Sequence, residues 1–316
     1  MAFFNTITYN CNGLGNKIKR QKVFTFLHDK LKNGFVFLQE THSMENLEKE
    51  WKNEWGGEIY FSHGTSNSTG CAIAFSKNFP VKIINQFRDD NGRILILEVH
   101  INNESFLLIN LYNANSELDQ IAVLDLLCSK IENLILDDKC KPIFGGDMNL
   151  IFDTTLDSSG GNPILKKKSL AKLMKILLKL DVCDIFRVRY PHQKRFTFHR
   201  KNPSIQRRLD YFFISNSLQE CIGDVKVLPS FMSDHSPVFV SVNLLPDIAR
   251  GKYGWKFNNS LLHDDKFPTE MRNHLHSLNA TLDNFSNPHL KWEYLKYEAC
   301  KFSIAFSKEK IYRTLV

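Results

Sequence analysis

The sequence predicts an α/β fold, a four-layered α/β-sandwich in which two packed mixed β-sheets are flanked by helices, followed by a C-terminal helical extension. Candidate strands outnumber candidate helices, and predicted hairpins mix with helical crossovers, which is typical of two sheets packed face to face with helices outside. The 316 residues are 43% hydrophobic and include 25 Phe, enough for one large core and an appendage.

Eight segments are short, rich in β-branched or aromatic residues and bounded by turn residues, as strands are. The sequence HINNES, residues 100–105, predicts a hairpin turn between two of them. The predicted strands are residues 35–40, 70–76, 93–101, 105–113, 142–146, 195–199, 209–215 and 236–244.

Three segments have helical periodicity. The first runs from Lys17 to Leu31, and the second from a capping Ser116, followed by Asp119, to about Ile135. The third covers residues 166–180, with its lysines on a solvated outer face. The residues predicted to face inward are Val23, Leu27 and Leu31 in the first helix, Leu118, Ile121, Leu124 and Cys128 in the second, and Leu170, Leu173, Leu177 and Leu180 in the third.

The pattern changes after about residue 245. Residues 244–255 are typical of a linker, and helical signals follow, with Trp292, Leu295, Phe302 and Phe306 on one side of a helix. We therefore expect one domain over residues 1–245, then a linker and helical extension over residues 246–316.

Composition limits which cellular compartments and binding partners we expect. No apolar stretch approaches the roughly 20 residues that cross a bilayer, and the first residues lack a secretory signal, so we expect no membrane association and no secretion. Seven scattered cysteines without a CxxC pair favour a reducing compartment, the cytosol or the nucleus. The net charge of +7, with 11 basic and 7 acidic residues from Ala249 onward, suits a polyanion but is equally explained by solubility.

Polar side chains recur where predicted strands reach an edge of the sheets. Taken singly, each group is typical of a turn. Strands running up and down would bring all six groups to one end of the sandwich, which predicts a shared site. The groups are Asn10 with Asn12, Gln39 with Glu40, Tyr112 with Asn113, Asp147 with Asn149, Asp210 alone, and Asp234 with His235.

In chain order, the stretches NCNGLG, LQETH, NLYNAN, GGDMNL, RFTF, RRLDYFF and SDHSPV resemble the endonuclease/exonuclease/phosphatase superfamily. This superfamily includes pancreatic deoxyribonuclease and the abasic-site repair endonucleases. The series, over about residues 5–244, is most similar to the endonuclease domain of non-LTR (LINE-type) retrotransposon proteins. Residues 255–262 and 292–308 resemble the region between endonuclease and reverse transcriptase in those proteins.

The resemblance implies a Mg²⁺-dependent phosphodiesterase, with Mn²⁺ as a substitute. Glu40 is the expected principal metal ligand, with Asn10 beside it, because Mg²⁺ prefers oxygen ligands. Asp147 is expected to orient or deprotonate the attacking water. The remaining catalytic expectations are Asn149 positioning Asp147 and the phosphate, a protonated His235 held by Asp234, Tyr112 hydrogen-bonded to the phosphate, and Asp210 supporting the metal or the leaving group.

The expected DNA contacts surround this site. Residues 199–206 predict a basic hairpin tip, from which Arg200 and Lys201 could enter a minor groove; a solvated loop explains the same residues equally well. Further expected contacts are Thr197, Arg207, Arg208, Asn12 and Asn113.

Two positions depart from the family pattern. Repair nucleases carry Asp where Asn12 stands, and many retrotransposon endonucleases carry Ser where Arg207 stands. The resemblance still implies a nick in duplex DNA that leaves a 3′-hydroxyl to prime reverse transcription. It also implies a covalently linked reverse transcriptase, element RNA bound through the extension, and work in the nucleus after synthesis in the cytoplasm.

Three alternatives stay open from the sequence. The first is an abasic-site or general DNA repair endonuclease of the same fold, and the second is a phosphatase acting on inositol or sphingolipid phosphates. The third is a non-catalytic nucleic-acid-binding module. The helical extension disfavours the first, the lack of a lipid-contacting loop the second, and the presence of Glu40, Asp147 and His235 the third.

Overall fold

The computed structural model describes residues 3–102, 104–133, 140–244, 257, 259–283 and 288–315. The chain divides into two compact units, Met1–Pro246 and Asp247–Val316.

The first unit contains all of the described strands and five of the described helices. Its strands are β1 Phe3–Asn10, β2 Gly34–Gln39, β3 Ile59–Ser62, β4 Cys71–Phe75, β5 Val81–Arg88, β6 Ile94–Ile101, β7 Glu104–Tyr112, β8 Lys141–Asp147, β9 Ser158–Ser159, β10 Val182–Asp184, β11 Phe198–Arg200, β12 Ile205–Arg207, β13 Asp210–Ser215, β14 Ile222–Val227 and β15 Val238–Asn243. Its helices are α1 Lys17–Leu31, α2 Glu48–Trp55, α3 Glu117–Asn133, α4 Lys167–Lys179 and α5 Ile185–Arg189, with short 3-10 turns at Glu45–Leu47 and Asn216–Cys221.

Two six-stranded sheets form the centre of this unit. The first has the order β14-β15-β1-β2-β4-β3 and the second β10-β13-β8-β7-β6-β5. Both are mixed, because β1 pairs with β2 and β7 with β8 in parallel while their other neighbours are antiparallel. A third, three-stranded sheet has the order β11-β12-β9.

Three hydrophobic clusters arrange these elements in four layers. The facing sides of the two large sheets pack together, as Phe37 of β2 does against Phe212 of β13 with ring centroids 5.7 Å apart. The outer side of the second sheet packs against α3 and α4, and that of the first against α1 and α2. The predicted four-layered fold is therefore confirmed.

The two glycines that precede Asp147 are required by close packing. A Cβ at Gly145 would lie 2.6 Å from ring atoms of both Phe37 and Phe212, between the two sheets. Gly146 has φ +144, and a Cβ there would lie 1.9 Å from the Leu111 carbonyl oxygen. Strand β8 therefore lies deep between its neighbours and carries Asp147 to the edge of the sandwich.

The predicted helices are present, with one error in orientation. Helix α1 has the predicted bounds, and its three predicted residues are buried. The Ser116 hydroxyl accepts from the Asp119 amide at 3.1 Å, which confirms the capping start of α3. Leu118, however, is 79% exposed, because the buried face of α3 runs through Leu124 and Leu127 instead.

Several short elements were not predicted. Strands β3, β5, β10 and β14 and helices α2 and α5 lack the long periodic pattern that marks the others. Of the predicted strand at residues 195–199, only the last two residues are extended in β11.

The second unit is helical in its described residues. It contains a 3-10 turn at Asn259–His263 and helices α6 Phe267–Ser277, α7 Asn279–Leu282 and α8 Pro288–Leu315. Phe302 and Phe306 of α8 contact Phe267, with ring centroids 6.1 and 5.1 Å apart. Trp292, expected on the same packed stripe, is instead 59% exposed. The predicted linker lies almost entirely outside the described residues. No helix among the described residues is both long and apolar enough to cross a membrane.

Candidate active site

Neighbouring strands bring the predicted polar residues to one edge of the sandwich. In the sheet register, Asn10 at the end of β1 lies beside Gln39 at the end of β2. Asp147 at the end of β8 lies between Tyr112 of β7 and Asp210 of β13. Because these strands end or begin at the same edge, residues more than 100 positions apart in the chain become neighbours.

Asp147 is buried and held at both carboxylate oxygens. Its Oδ2 accepts from Asn10 Nδ2 at 2.9 Å, a bond that joins the two large sheets. Its Oδ1 accepts from the Asn149 amide at 2.9 Å, in a tight turn where Asn149 has φ +47. The Asn149 side chain donates to the Asn113 carbonyl oxygen at 2.9 Å. The contact of Asn149 with Asp147 is therefore made by its backbone and not by its side chain.

His235 is buried and paired with Asp210. Its Nδ1 lies 2.8 Å from Asp210 Oδ2, and its Nε2 lies 3.9 Å from Asp147 Oδ2. The second distance is too long for a hydrogen bond, so Nε2 and Asp147 Oδ2 are close neighbours without a direct bond between them.

The charges in this cluster, together with burial, give Asp147 and His235 pKa values that differ from their ordinary ones. Burial lowers the pKa of His235, but Asp210, Asp147 and Asp234 raise it to about 10. Burial and the Asp210 charge raise the pKa of Asp147 to about 7, against the lowering effect of His235 and two hydrogen bonds. At neutral pH the imidazole is therefore protonated while Asp147 can gain or lose a proton, the arrangement of an acid beside a base.

The Tyr112 hydroxyl points to the same group of charges. Burial, then Glu40 and Asp147, raises the pKa of Tyr112, so the phenol keeps its proton. The Arg93 guanidinium lies over the ring at 5.2 Å from its centroid. The hydroxyl has no hydrogen-bond partner among the described residues and can donate to a ligand.

Oxygen atoms suited to bind a hard divalent cation come from both large sheets at the site, from Glu40 after β2 and from Asp210 in β13. The Glu40 carboxylate accepts no hydrogen bond within the described part of the chain, and Glu40 has φ +53. Asp210 Oδ1 is buried without a partner. Asp147, Asp210 and His235 each offer one ligand atom, all within 4.8 Å of one another.

Asp234 does not hold His235, contrary to the sequence prediction. Asp234 Oδ1 accepts from Asn12 Nδ2 at 3.0 Å, at the surface. Asp210, the expected metal or leaving-group residue, is instead the partner of His235.

Arg208, which was expected to contact DNA, is buried. Its side chain is 2% exposed, with Nε 2.7 Å from Asp157 Oδ1 and Nη2 2.7 Å from Asp184 Oδ2. The guanidinium also lies over the Tyr211 ring, 4.3 Å from its centroid. Arg208 therefore fixes the start of β13 from inside the domain.

Thr197 and Asn113 are also buried and cannot reach DNA. The Thr197 hydroxyl accepts from the amides of Leu209 and Asp210 at 3.0 and 3.1 Å, which positions Asp210. Asn113 Nδ2 donates to the Met148 carbonyl oxygen at 3.0 Å and so links the ends of β7 and β8. Both residues therefore stabilise the strand ends that carry the site residues.

The other predicted contacts lie at the surface. Arg200 and Lys201 are exposed at the tip of the β11–β12 hairpin, which confirms that this segment is a hairpin. Arg207 is half-buried and donates to the Ser159 carbonyl oxygen at 2.8 Å. Burial and the nearby Arg200 charge lower the pKa of Arg207.

Three residues of the site were not predicted from the sequence: no motif marks Lys19 or Lys166, although His42 ends the LQETH stretch. Lys19 Nζ donates to the carbonyl oxygens of Cys11 and Asn12 at 2.9 and 2.6 Å. Lys166 Nζ donates to the Asn149 carbonyl oxygen at 3.1 Å. His42 Nε2 is buried without a hydrogen bond, 4.0 Å from Glu40 Oε1.

Residues 7–235 match the endonuclease/exonuclease/phosphatase family, and the chain belongs to that family. It is 29% identical over 291 residues to the transposon TX1 uncharacterized 149 kDa protein of Xenopus laevis, covering 90% of this chain and 22% of that protein. The chain thus spans about a fifth of the length of this relative. The resemblance drawn from the motifs is confirmed.

Solved structures share the fold at low identity. The AP endonuclease LMAP from Leishmania major superposes with a TM-score of 0.63 at 17% identity, covering 77% of this chain and 88% of that one. The endonuclease domain of TRAS1, a telomere-specific non-LTR retrotransposon, does so with a TM-score of 0.57 at 16% identity, covering 77% and 99%.

Proposed function

We propose that this chain is a Mg²⁺-dependent DNA endonuclease that nicks one strand of a duplex and leaves a 3′-hydroxyl. The observation that carries the proposal is the cluster of Asn10, Asp147, Asp210 and His235, in which an imidazole held by Asp210 lies 3.9 Å from a carboxylate held by Asn10. Phosphodiester hydrolysis needs an aligned water, a proton acceptor for it and neutralisation of charge on the phosphate.

Asp147 accepts the proton of the attacking water in this proposal. Its carboxylate is held at one oxygen by Asn10 and at the other by the Asn149 amide, so its direction is fixed before substrate binds. With a pKa raised to about 7, it is a stronger base than an ordinary Asp while still ionised at mildly alkaline pH.

His235 donates its Nε2 proton to a phosphate oxygen. Asp210 fixes the ring through Nδ1, which leaves Nε2 pointing toward the space beside Asp147. The Tyr112 hydroxyl provides a second donor. Both groups counter negative charge on the phosphate where burial weakens competition from water.

Glu40, Asn10 and Asp210 are the residues proposed to hold the cation. Asn10 Oδ1 accepts from the Asn12 amide at 3.0 Å and has a second lone pair to offer, while Asp210 Oδ1 is unpartnered. When bound, Mg²⁺ stabilises the charge that develops on the phosphate and the leaving oxygen. Mn²⁺, which takes the same ligands, should substitute.

Conversion of supercoiled plasmid to the open circular form tests the activity. We expect conversion in Mg²⁺, none in EDTA, and a loss of at least about 100-fold for His235→Ala, the usual contribution of a general acid. His100→Ala, which alters an exposed histidine at the far end of β6, is the matched control. If supercoiled DNA survives the wild-type chain over a range of salt and metal concentrations, the proposed activity is wrong.

We further propose that the nick primes reverse transcription by a covalently linked polymerase, since the transposon TX1 relative is about five times longer than the matched region. The nick must then carry an extendable 3′-hydroxyl, which a DNA polymerase and a labelled nucleotide detect. On this proposal the full protein acts in the nucleus, and its helical extension contacts element RNA. An abasic duplex cut much faster than an intact one would instead indicate a repair endonuclease.

Target choice is proposed to depend on the β11–β12 hairpin, whose tip exposes Arg200 and Lys201. Cations inserted into a minor groove respond to groove width and A·T content. Replacing residues 200–204 by a glycine-rich turn should redistribute the nicks that sequencing maps on a long duplex. An unchanged distribution would contradict this role.

A further inference from the structure

The positive charge of this chain is concentrated beside the candidate active site. Residues 185–209 contain eight Lys and Arg and no Asp or Glu, whereas the net charge of the whole chain is +7. This segment covers α5, the connection to β11, and the β11–β12 hairpin. The largest local excess of positive charge therefore lies within the first unit and not in the helical extension.

Not all of these cations are available to a ligand. Arg187 and Arg208 pair with the buried Asp157, and Arg189 donates to the Ile222 carbonyl oxygen. Lys194 and Arg195, by contrast, are exposed and form no ion pair with any described residue. No carboxylate of the described residues neutralises their charge.

Lys194 and Arg195 line a cavity of about 650 Å³. Its other walls include His199, Gln206, Pro229 and Ser236, and no carboxylate from the described part of the chain lines it. A second surface cavity, beside Arg93, is lined by Asp90 and Asp119 and so lacks this one-sided charge. Exposed cations with neutral hydrogen-bonding groups and no acid suit a phosphodiester backbone.

This cavity adjoins the segment that carries His235. The His199 amide donates to the Asp234 carbonyl oxygen at 3.0 Å, and the Ser236 amide donates to the Thr197 carbonyl oxygen at 2.6 Å. The Phe198 ring lies 5.2 Å from the His235 ring between their centroids. A strand cleaved beside His235 would therefore pass close to the mouth of this cavity.

We propose that the cavity formed by Lys194, Arg195, His199 and Gln206 binds the sugar–phosphate backbone of one duplex arm next to the cleaved bond. This inference rests on the proposed function, because it takes the ligand to be the duplex that the site cuts. It adds a backbone contact on the His235 side, separate from the hairpin tip. Its contribution is electrostatic and independent of base sequence.

Salt-dependent binding tests the inference without requiring cleavage. Binding of a fluorescent 30-base-pair duplex is followed by anisotropy in EDTA at several salt concentrations. If Lys194 and Arg195 each contact a phosphate, the Lys194→Gln/Arg195→Gln variant should lower the slope of log K against log salt by about 1.8, from about 0.9 per phosphate. Lys77→Gln/Lys82→Gln removes the same charge from exposed positions at the opposite end of the sheets and should leave the slope unchanged.

Each outcome has a separate meaning. The inference is overturned if the slope of log K against log salt is the same for Lys194→Gln/Arg195→Gln as for the wild-type chain. It is also overturned if the control variant lowers that slope by the same amount. A fall seen only with single-stranded RNA as the ligand also overturns it, since the cavity would then serve a different partner. The variants can differ in salt dependence as predicted while the wild-type chain does not nick DNA in Mg²⁺. In that case the proposed function is wrong, but the binding of a duplex backbone by the cavity is supported.

Discussion

Asp210→Asn should move the pH range of activity toward acid, because the Asp210 charge raises the pKa values of both reacting groups. In the wild-type chain the active form needs Asp147 ionised, above its pKa of about 7, and His235 protonated, below its pKa of about 10. Activity should therefore rise through about pH 7, stay level, and fall near pH 10. The substitution removes the main charge that raises the pKa of His235 and the like charge that raises that of Asp147.

The size of the effect follows from these contacts. Without Asp210, burial opposes the remaining carboxylates, and the pKa of His235 should return toward 6.5, its ordinary value. A shift of that size corresponds to at most roughly 5 kcal/mol of interaction with the protonated ring, at about 1.4 kcal/mol per pH unit. At pH 8 only about one ring in thirty would then be protonated, so the nicking rate should fall about 30-fold. Near pH 6 the rate should not fall, because most rings keep the proton and Asp147 is ionised more fully than in the wild-type chain.

The assay is single-turnover nicking of a labelled duplex at saturating Mg²⁺ between pH 5.5 and 10. Asp224→Asn, which alters an exposed carboxylate paired with Lys226, is the control and should keep the wild-type profile. If the alkaline limb of Asp210→Asn coincides with that of the wild-type chain, Asp210 does not control the protonation of His235. The acid–base assignment would then be refuted.

Three further substitutions test the supports of the site. Arg208→Met should lower the free energy of unfolding in urea by about 3 kcal/mol, because the buried Asp157 loses one of its two cations, whereas the exposed Lys226→Met should change it by less than about 0.5 kcal/mol. Gly145→Ala should cost about 2 kcal/mol in the same measurement, since its Cβ would meet two aromatic rings at 2.6 Å; little change would mean the sheets can separate locally. Asn10→Asp should move the acid limb of the pH–rate profile upward, because it places a carboxylate where Asn10 Nδ2 now lies 2.9 Å from Asp147. An unmoved limb would show that Asp147 is not the group titrating there.

The sequence identified the strand-end groups but not their pairing. Periodicity predicted α1 correctly because its inward residues recur at helical spacing along an uninterrupted segment. The clusters at the ends of β1, β2, β7 and β8 followed from strands that end at a common edge. For these features local pattern and tertiary position agree.

Partners across the sheet could not be predicted. Asp234 is adjacent to His235 in the chain, yet its carboxylate accepts from Asn12, and the partner of His235 comes from β13. Arg207 and Arg208 are also adjacent, but Arg207 lies toward the surface and Arg208 reaches inward to Asp157. A single sequence does not show which buried carboxylate forms an ion pair with which cation.

The most direct test of the central claim, that distant residues form one hydrolytic site, is a double-mutant cycle on single-turnover nicking in Mg²⁺. Asp147→Asn and His235→Ala are measured singly and together. Residues that act on one phosphate as a unit give strongly non-additive losses, so the double variant should be little slower than the slower single variant. Losses that multiply, or a His235→Ala variant that nicks at the wild-type rate, would contradict a shared site.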